Sequence, residues 1–137
     1  MEAGRVRSAE MEQGFDDEVS GRIIESVIRV HRELGPGFNE SIYQKALLVD
    51  FANVGLAFEC EKVINILYRG INVGVHRLDL VVEGVVVLEL KVVEQLSKAH
   101  YAQLKSYLHA ANIEVGLLIN FANEKADFRR VMVPNRK

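Results

Sequence analysis

The chain has 137 residues, of which 49% are hydrophobic and 26% charged, and its formal net charge is −2. This length and balance are typical of one globular domain and exclude a strongly basic nucleic-acid coat. No apolar run approaches the ~20 residues of a membrane-spanning helix, so we expect no membrane partner.

Charge is distributed unevenly along the chain. The first twenty residues hold six acidic and two basic side chains, a net charge of −4, whereas residues 91–137 hold eight Lys and Arg against four Asp and Glu, a net charge of +4. Residues 1–15 are polar and without periodicity, which predicts a disordered tail ahead of a single domain over residues 16–137. The mildly basic C-terminal part could face a phosphate backbone.

Cysteine usage and the first residues bear on the cellular compartment. Cys60 is the single cysteine, so the chain has no disulfide framework and no cysteine metal cluster. The first twenty residues also lack the apolar segment of a secretory signal peptide. We therefore expect a cytoplasmic protein.

Two helices are predicted at the start of the domain. Apolar residues recur at helical spacing from Val19 to Leu34, and the run Gly35-Pro36-Gly37 predicts the end of this first helix. A second helix is predicted to begin near Asn39 and to end at Gly55. Its buried stripe is expected to comprise Tyr43, Ala46, Leu47, Phe51 and Val54.

Three strands are predicted next, over residues 58–69, 73–82 and 85–93. Gly70 with Asn72 indicates the first turn between them, and Glu83-Gly84 indicates a tight hairpin turn. In the second strand, strict alternation would place Leu78 and Leu80 on the core face, and Arg77 and Asp79 on the other.

The last elements complete an α/β fold of the α+β type. A helix from Ser97, a buried strand over residues 114–121 and an edge strand over residues 127–133 are predicted. Because a helix connects the third and fourth strands, we expect these two strands to be parallel. The core is then helix, three antiparallel strands, helix and strand, with an additional N-terminal helix and a C-terminal edge strand.

Two charged residues interrupt the apolar third strand. Glu89 and Lys91 are two positions apart, so they share one face of the strand. Asp79 and Glu89 stand at nearly equal distances from the Glu83-Gly84 turn, so antiparallel pairing brings these two carboxylates together on adjacent strands. Such a pair repels unless one group is protonated or a cation lies between them.

Two interpretations of this cluster are open. In the first, Lys91 forms a buried salt bridge with Glu89 or Asp79, although a bridge requires one carboxylate only. In the second, both carboxylates bind Mg²⁺, a hard cation that prefers oxygen ligands. The backbone carbonyl of Leu90 could then be a further ligand, and Lys91 could orient a water or stabilise charge developing on a phosphate.

Several polar residues on the helices could contribute to the same site. His100, Gln103 and Tyr107 form a polar stripe on the helix after the third strand, where they could bind a phosphate or hold Lys91, and His100 could also act as an acid or base. Alternatively, His100 and Gln103 are ordinary helix surface and Tyr107 is a half-buried aromatic whose hydroxyl meets water. Glu40 lies in the first turn of the second helix, where the helix dipole favours a carboxylate. Tyr43 lies on the buried stripe, so Glu40 borders the face that meets the sheet and could reach a metal directly or through water.

These residues resemble the motifs of the PD-(D/E)xK nuclease superfamily, and specifically of the small GxxExxY proteins within it. The matching positions are Gly37, Glu40 and Tyr43 for the GxxExxY motif, Asp79 with Glu89-Leu90-Lys91 for the core signature, and Gln103 with Tyr107 for the QxxxY motif of RecB-type nucleases. The resemblance extends from about Val19 to Val133. It departs at Leu78, where the superfamily name has Pro.

The resemblance implies a restriction-endonuclease-like core and Mg²⁺-dependent hydrolysis of phosphodiester bonds, with Mn²⁺ as a substitute. By analogy, Asp79 and Glu89 would bind the metal and Lys91 would position the attacking water. Glu40 would be a further acidic contributor, and Gln103 and Tyr107 would support the site or touch nucleic acid.

Two functions follow as hypotheses. The first is a metal-dependent nuclease that acts on DNA in preference to RNA. The second is a non-catalytic module that uses the same fold to bind nucleic acid or a protein partner. A homodimer is a further expectation, since the edge strand over residues 127–133 could supply an interface.

Overall fold

The computed structural model describes residues 17–134, so the predicted tail over residues 1–15 and the domain start at residue 16 lie outside the described range. Within that range the elements are α1 (Asp17–Leu34), α2 (Glu40–Val54), β1 (Phe58–Tyr68), β2 (Ile71–Val82), β3 (Val86–Lys91), α3 (Lys98–Ala111), β4 (Val115–Asn120) and β5 (Asp127–Met132). No helix of the described residues is long and apolar enough to span a membrane.

The five strands form one mixed sheet in the order β1-β2-β3-β4-β5. Neighbouring strands are antiparallel except β3 and β4, which are parallel and are joined by α3. The predicted α+β class, the parallel pair and the restriction-endonuclease-like arrangement are confirmed. β1 and β5 form the two edges of the sheet.

Helices cover the sheet on both faces. α1 and α2 pack on one face, where their apolar stripes meet alternate residues of β2, β3 and β4; this cluster includes Ile23, Val27, Leu47, Phe51, Leu80, Leu88 and Leu117. α3 packs on the other face; its cluster includes Leu78, Val81, Val87, Leu104, Leu108 and Leu118. β3 and β4 are therefore buried on both sides, which explains their nearly continuous apolar sequences.

The turns differ slightly from their predicted positions. Glu83 and Gly84 both have positive φ, 54° and 69°, and the Val85 N–H donates to the Val82 carbonyl at 3.0 Å. Val85 thus belongs to a three-residue turn, and β3 begins one residue later than predicted. The β1–β2 turn lies at Arg69-Gly70, so Asn72 lies within β2 and not in the turn.

The predicted alternation along β2 fails at Asp79. Leu78 packs on the α3 face, whereas Leu80 packs on the face of α1 and α2. The partner position of Asp79 on β1 is Glu61, which has a φ of 58° and is missing from the pairing register between Cys60 and Lys62. A residue in the left-handed region interrupts the regular alternation of side chains between the two faces of the sheet. The alternation of both β1 and β2 is therefore shifted by one residue at this point.

The turn between α1 and α2 is fixed by a buried tyrosine. The Tyr43 hydroxyl donates to the Gly35 carbonyl at 2.5 Å and accepts from the Phe38 N–H at 3.3 Å. Its ring stacks on Phe121 at the end of β4, with centroids 4.3 Å apart. Gly37, between these contacts, has a φ of 116°, which side chains rarely tolerate. The start of α2 is therefore held against the sheet.

Replacing Tyr43 by Phe should destabilise the fold while keeping the ring stack. The Gly35 carbonyl and the Phe38 N–H would lose their shared partner, so we expect the free energy of unfolding to fall by about 1–2 kcal/mol in urea denaturation. Tyr68→Phe is the control, because Tyr68 is 63% exposed. Equal stability of the Tyr43→Phe variant and the control would contradict this structural role for the hydroxyl.

Candidate active site

The two carboxylates of the predicted cluster lie where β2 and β3 separate. The backbone pairing between these strands ends at Leu80 and Leu88. At the next position, side chains make the contacts: the Leu90 N–H donates to Asp79 Oδ2 at 2.9 Å, and the Asp79 N–H to Glu89 Oε2 at 3.4 Å. The structure thus brings Asp79 and Glu89 together, each carboxylate held by a backbone donor of the opposite strand.

The Leu90 carbonyl faces the same space. The N–H and C=O of one strand residue point to the same side of the strand. Because the Leu90 N–H points to Asp79, its carbonyl also points toward β2. The Lys91 carbonyl points the other way and accepts from the Phe121 N–H at 3.0 Å, next to β4. The Leu90 carbonyl is therefore directed to the side of β3 on which Asp79 lies.

Burial and mutual repulsion raise the proton affinity of this pair. Glu89 is 6% exposed. Desolvation, followed by the nearby charge of Asp79, raises the pKa of Glu89 to about 8. Burial also raises the pKa of Asp79, while the bond from the Leu90 N–H opposes that rise. Binding of a proton or a cation would relieve the repulsion between the buried Glu89 and the half-buried Asp79.

Lys91 lies beside the pair without forming the predicted salt bridge. It is half-buried on the same face of β3 as Glu89, but among residues 17–134 no ion pair joins it to Glu89 or Asp79. Its charge nevertheless favours the ionised form of both carboxylates. In this structure the salt-bridge interpretation is therefore not realised, and the ammonium group is available to a bound anion.

A buried asparagine fixes the chain that follows Lys91. Asn120 is fully buried and pairs with Lys91 in the β3–β4 register. Its amide donates to the Val93 carbonyl at 2.8 Å and accepts from the Val93 N–H at 3.1 Å. The Asn120 side chain thus forms hydrogen bonds with both the N–H and the carbonyl of Val93, and these bonds hold the chain after β3 in one position relative to β4.

Helix α2 reaches the site through its first two turns. The Gln44 amide donates to the Asp79 carbonyl at 3.3 Å. Glu40 is four residues earlier on the same helix face, is exposed, and contributes to the rise in the Glu89 pKa. Glu40 thus lies within electrostatic range of Glu89, at the rim of the site.

Helix α3 contributes an aromatic stack on the same face as Glu89. Tyr107 stacks on His76 of β2 with ring centroids 3.6 Å apart. Burial, and then the charges of Glu89 and Asp79, raises the pKa of Tyr107. Burial lowers the pKa of His76, whose Nε2 is buried and has no hydrogen-bond partner within the described part of the chain. A neutral histidine and a neutral tyrosine therefore form one wall of the site.

The other predicted residues have different environments. Gln103 is exposed one turn before Tyr107. His100 completes a capping box with Ser97 at the start of α3. The ring Nδ1 of His100 accepts from the Ser97 backbone N–H at 3.0 Å, and the backbone N–H of His100 donates to Ser97 Oγ at 3.3 Å. Tyr43 is fully buried, so it cannot touch nucleic acid in this structure and supports the site through the turn before α2.

The donor set fits a hard divalent cation. Within residues 17–134 no group of three or more His, Cys, Asp or Glu side chains is arranged to hold a metal. Two carboxylates and one carbonyl are available instead, and Mg²⁺ is commonly bound by one or two carboxylates with several waters.

Three residues around the site were not predicted from the sequence: Gln44, His76 and Asn120. Gln44 follows Glu40 by four residues, which is the spacing of one helix face, so its position could have been inferred. His76 alternates with Leu78, and this spacing also places both on one strand face. Asn120 ends an apolar strand, but its role depends on the register with β3, which no local signal specifies.

Fold, carboxylate pair and lysine together define a nuclease-like site. The chain belongs to the PD-(D/E)XK nuclease superfamily, whose family model matches residues 17–131. This confirms the superfamily predicted from the motifs. Metal dependence is typical of the superfamily.

The solved structure of SSO0001 is similar to this chain with a TM-score of 0.46 and 18% sequence identity. The match covers 82% of this chain and 66% of that chain. A comparison with curated proteins finds no match.

The shift at Glu89 predicts a specific pH dependence without metal. Because its folded pKa is near 8 and its ordinary value is 4.5, the folded state binds the extra proton between these values. The free energy of unfolding should therefore fall as pH rises through this window. Glu89→Gln holds no ionisable group there, so in EDTA it should be more stable than wild type at about pH 9.

Urea denaturation of both proteins from about pH 5 to about pH 9 measures this difference. Glu59→Gln is a matched control, since Glu59 is exposed on β1 and its substitution should leave the wild-type pH profile unchanged. Parallel pH profiles of the free energy of unfolding for wild type and Glu89→Gln would contradict a raised pKa of Glu89 in the folded state.

Proposed function

We propose that this chain is a Mg²⁺-dependent nuclease that hydrolyses phosphodiester bonds, with DNA as its substrate in preference to RNA. The observation that carries the proposal is the contact between Asp79 and Glu89 across the open end of β2 and β3, where no residue of 17–134 forms an ion pair with either carboxylate. A structural role alone would not require a second, half-buried carboxylate beside Glu89. The superfamily assignment supports the same chemistry.

Asp79, Glu89 and the Leu90 carbonyl would hold the metal, and Glu40 would reach it through water from the rim. A bound Mg²⁺ would polarise a phosphate oxygen and lower the pKa of a bound water. Cation binding would also remove the repulsion within the carboxylate pair. The backbone donors that orient both carboxylates reduce the cost of organising the site.

Lys91 would position the attacking water and stabilise negative charge on the phosphate. The lysine is half-buried, shares a strand face with Glu89 and forms no ion pair with the carboxylates in the described range. A preorganised cation in a partly desolvated site interacts with developing charge more strongly than one in water. Asn120 would keep this strand end in place through its bonds to Val93.

The α3 wall would meet the nucleic acid. Tyr107 is held by its stack on His76, and the charges of Glu89 and Asp79 act on its hydroxyl group. Gln103 is exposed one turn earlier, where its amide could bind a phosphate or a base. His100, whose Nδ1 is used in the helix cap, would contribute through its remaining ring nitrogen. The net charge of +4 over residues 91–137 favours a polyanion.

The GxxExxY assignment has a structural rationale in the turn before α2. Gly37 adopts a positive φ, Tyr43 anchors the turn, and Glu40 is thereby placed at the rim of the carboxylate site. We assign the chain to these proteins on that basis. The exposed free Cys60 is compatible with the reducing cytoplasm that we propose as its compartment.

Asp79→Asn and Lys91→Ala should separate metal binding from catalysis. Asparagine can keep the bond from the Leu90 N–H but removes a charged ligand, so both Mg²⁺ binding and cleavage should be lost. Lys91→Ala should retain calorimetric Mg²⁺ binding while cleavage of plasmid and single-stranded DNA falls by at least about 100-fold. Lys105→Ala, an exposed lysine of α3, is the charge-matched control and should cleave like wild type.

Each contrary result has a distinct meaning. If wild type cleaves neither DNA nor RNA with Mg²⁺ or Mn²⁺, the nuclease proposal fails for those substrates. Absence of Mg²⁺ binding, or equal binding by Asp79→Asn, would instead favour a non-catalytic nucleic-acid-binding or protein-interaction module on this fold. Loss of Mg²⁺ binding in Lys91→Ala would show that the lysine organises the site and does not act on the substrate.

A further inference from the structure

The β1–β2 hairpin carries an apolar surface that no other element of the described chain covers. Ile64 and Ile66 of β1 pack toward α3. Val63 and Val75 lie on the opposite strand face, by alternation with Ile64 and His76, and are 50% and 63% exposed. We call residues 63–75 the arm.

The exposed apolar residues continue along the arm to its tip. Beyond Val63 and Val75, the exposed members are Val73 at 61%, Ile71 at 66%, Leu67 at 62% and Tyr68 at 63%. Tyr68 and its register partner Ile71 alternate onto the α3 side of the tip, whereas Leu67 shares the open face with Val63 and Val75. The open face, with Val73 at the bulge, presents on the order of 400 Å² of apolar surface, within the range of the largest apolar patch on a monomer. Patches of this size mark interaction surfaces.

The arm is poorly stabilised on its own. A two-stranded ribbon is marginally stable in water unless another layer covers it, and α3 reaches only one face of this one. The pairing register also shifts at Val73, where β2 has one residue more than β1. The Asn72 side chain secures this bulge by accepting from the Gly74 N–H at 2.9 Å. A second layer would therefore stabilise the arm as well as bury its apolar face.

The chemistry of the arm favours a protein partner over nucleic acid. Arg69 is the single charged residue between positions 63 and 75, and a phosphate backbone requires several Lys or Arg contacts. β-Branched side chains on two sheet faces interdigitate well when the sheets stack. The surface is thus suited to another apolar β face.

A second copy of this chain supplies that face with matching area. A standard interface buries ~800 Å² per partner, and the open apolar face of the arm would provide about half of it, close to the apolar share of a typical interface. Arg69 is the single charged residue within the arm, and the exposed Arg77, which pairs with Val63, borders its inner end. Pairing along the β1 edge is less suitable, because Glu61 adopts the left-handed conformation and Lys62 is charged and exposed.

We propose that the chain forms a twofold dimer in which the arms of two copies stack face to face. The interface differs from the β5 edge expected from the sequence, because the exposed apolar side chains concentrate on β1 and β2. The proposal concerns assembly only, so it stands or falls independently of metal binding and cleavage.

Sedimentation equilibrium of the full chain in EDTA, from about 10 to about 200 µM, tests this dimer. Wild type should have twice the mass of one 15.4 kDa chain, whereas Val75→Glu should be monomeric. Val49→Glu is the matched control: Val49 is 64% exposed on α2, and this variant should remain dimeric. A monomeric wild type across the range, or a dimeric, folded Val75→Glu, would overturn the proposal.

A conservative variant covers the case in which the glutamate disturbs folding. Val63→Thr/Val75→Thr keeps the β-branched shape that suits strands while removing apolar contact. Its dimer dissociation constant should rise by at least about tenfold relative to wild type. An unchanged dissociation constant in this double variant would overturn the proposal as well.

Discussion

The hydrogen bond from the Leu90 N–H to the Asp79 carboxylate is the contact on which the candidate site depends. It replaces a ladder bond at the point where β2 and β3 separate, and it holds Asp79 against Glu89. Burial of Glu89, and then the nearby charge of Asp79, raises the pKa of Glu89 to about 8. The pair therefore favours binding of a proton, and on the proposed function a divalent cation would take the place of that proton.

The surrounding structure keeps this opening in place. On one side, Gln44 of α2 binds the Asp79 carbonyl, and Glu61 lets β1 and β2 change faces together. On the other side, Asn120 fixes the chain after Lys91. The change of face also directs the long β1–β2 hairpin away from the α1–α2 layer. The change of face at Glu61 and Asp79 therefore creates the opening for the site, and it also leaves one face of the arm without a covering helix.

Local signals explain how much of this could be predicted from the sequence. Helical stripes, the Asn39 and Gly55 caps and the Glu83-Gly84 turn are encoded within a few residues, so the elements and the α+β order were predictable. The approach of Asp79 to Glu89 followed from the symmetry of the hairpin. The change of face at Asp79 was not predictable by alternation, because it arises from Glu61 on the neighbouring strand. The contact between Asn120 and Val93 likewise requires the β3–β4 register.

Anomalous diffraction from crystals soaked in Mn²⁺ would test the central claim most directly, namely that the carboxylate pair is a metal site. The account predicts one strong peak coordinated by Asp79, Glu89 and the Leu90 carbonyl, at about 2.0–2.3 Å from these oxygens, and no such peak in crystals of Asp79→Asn. A fully soaked wild-type crystal with no peak there, and with Lys91 bound to the carboxylates instead, would contradict it.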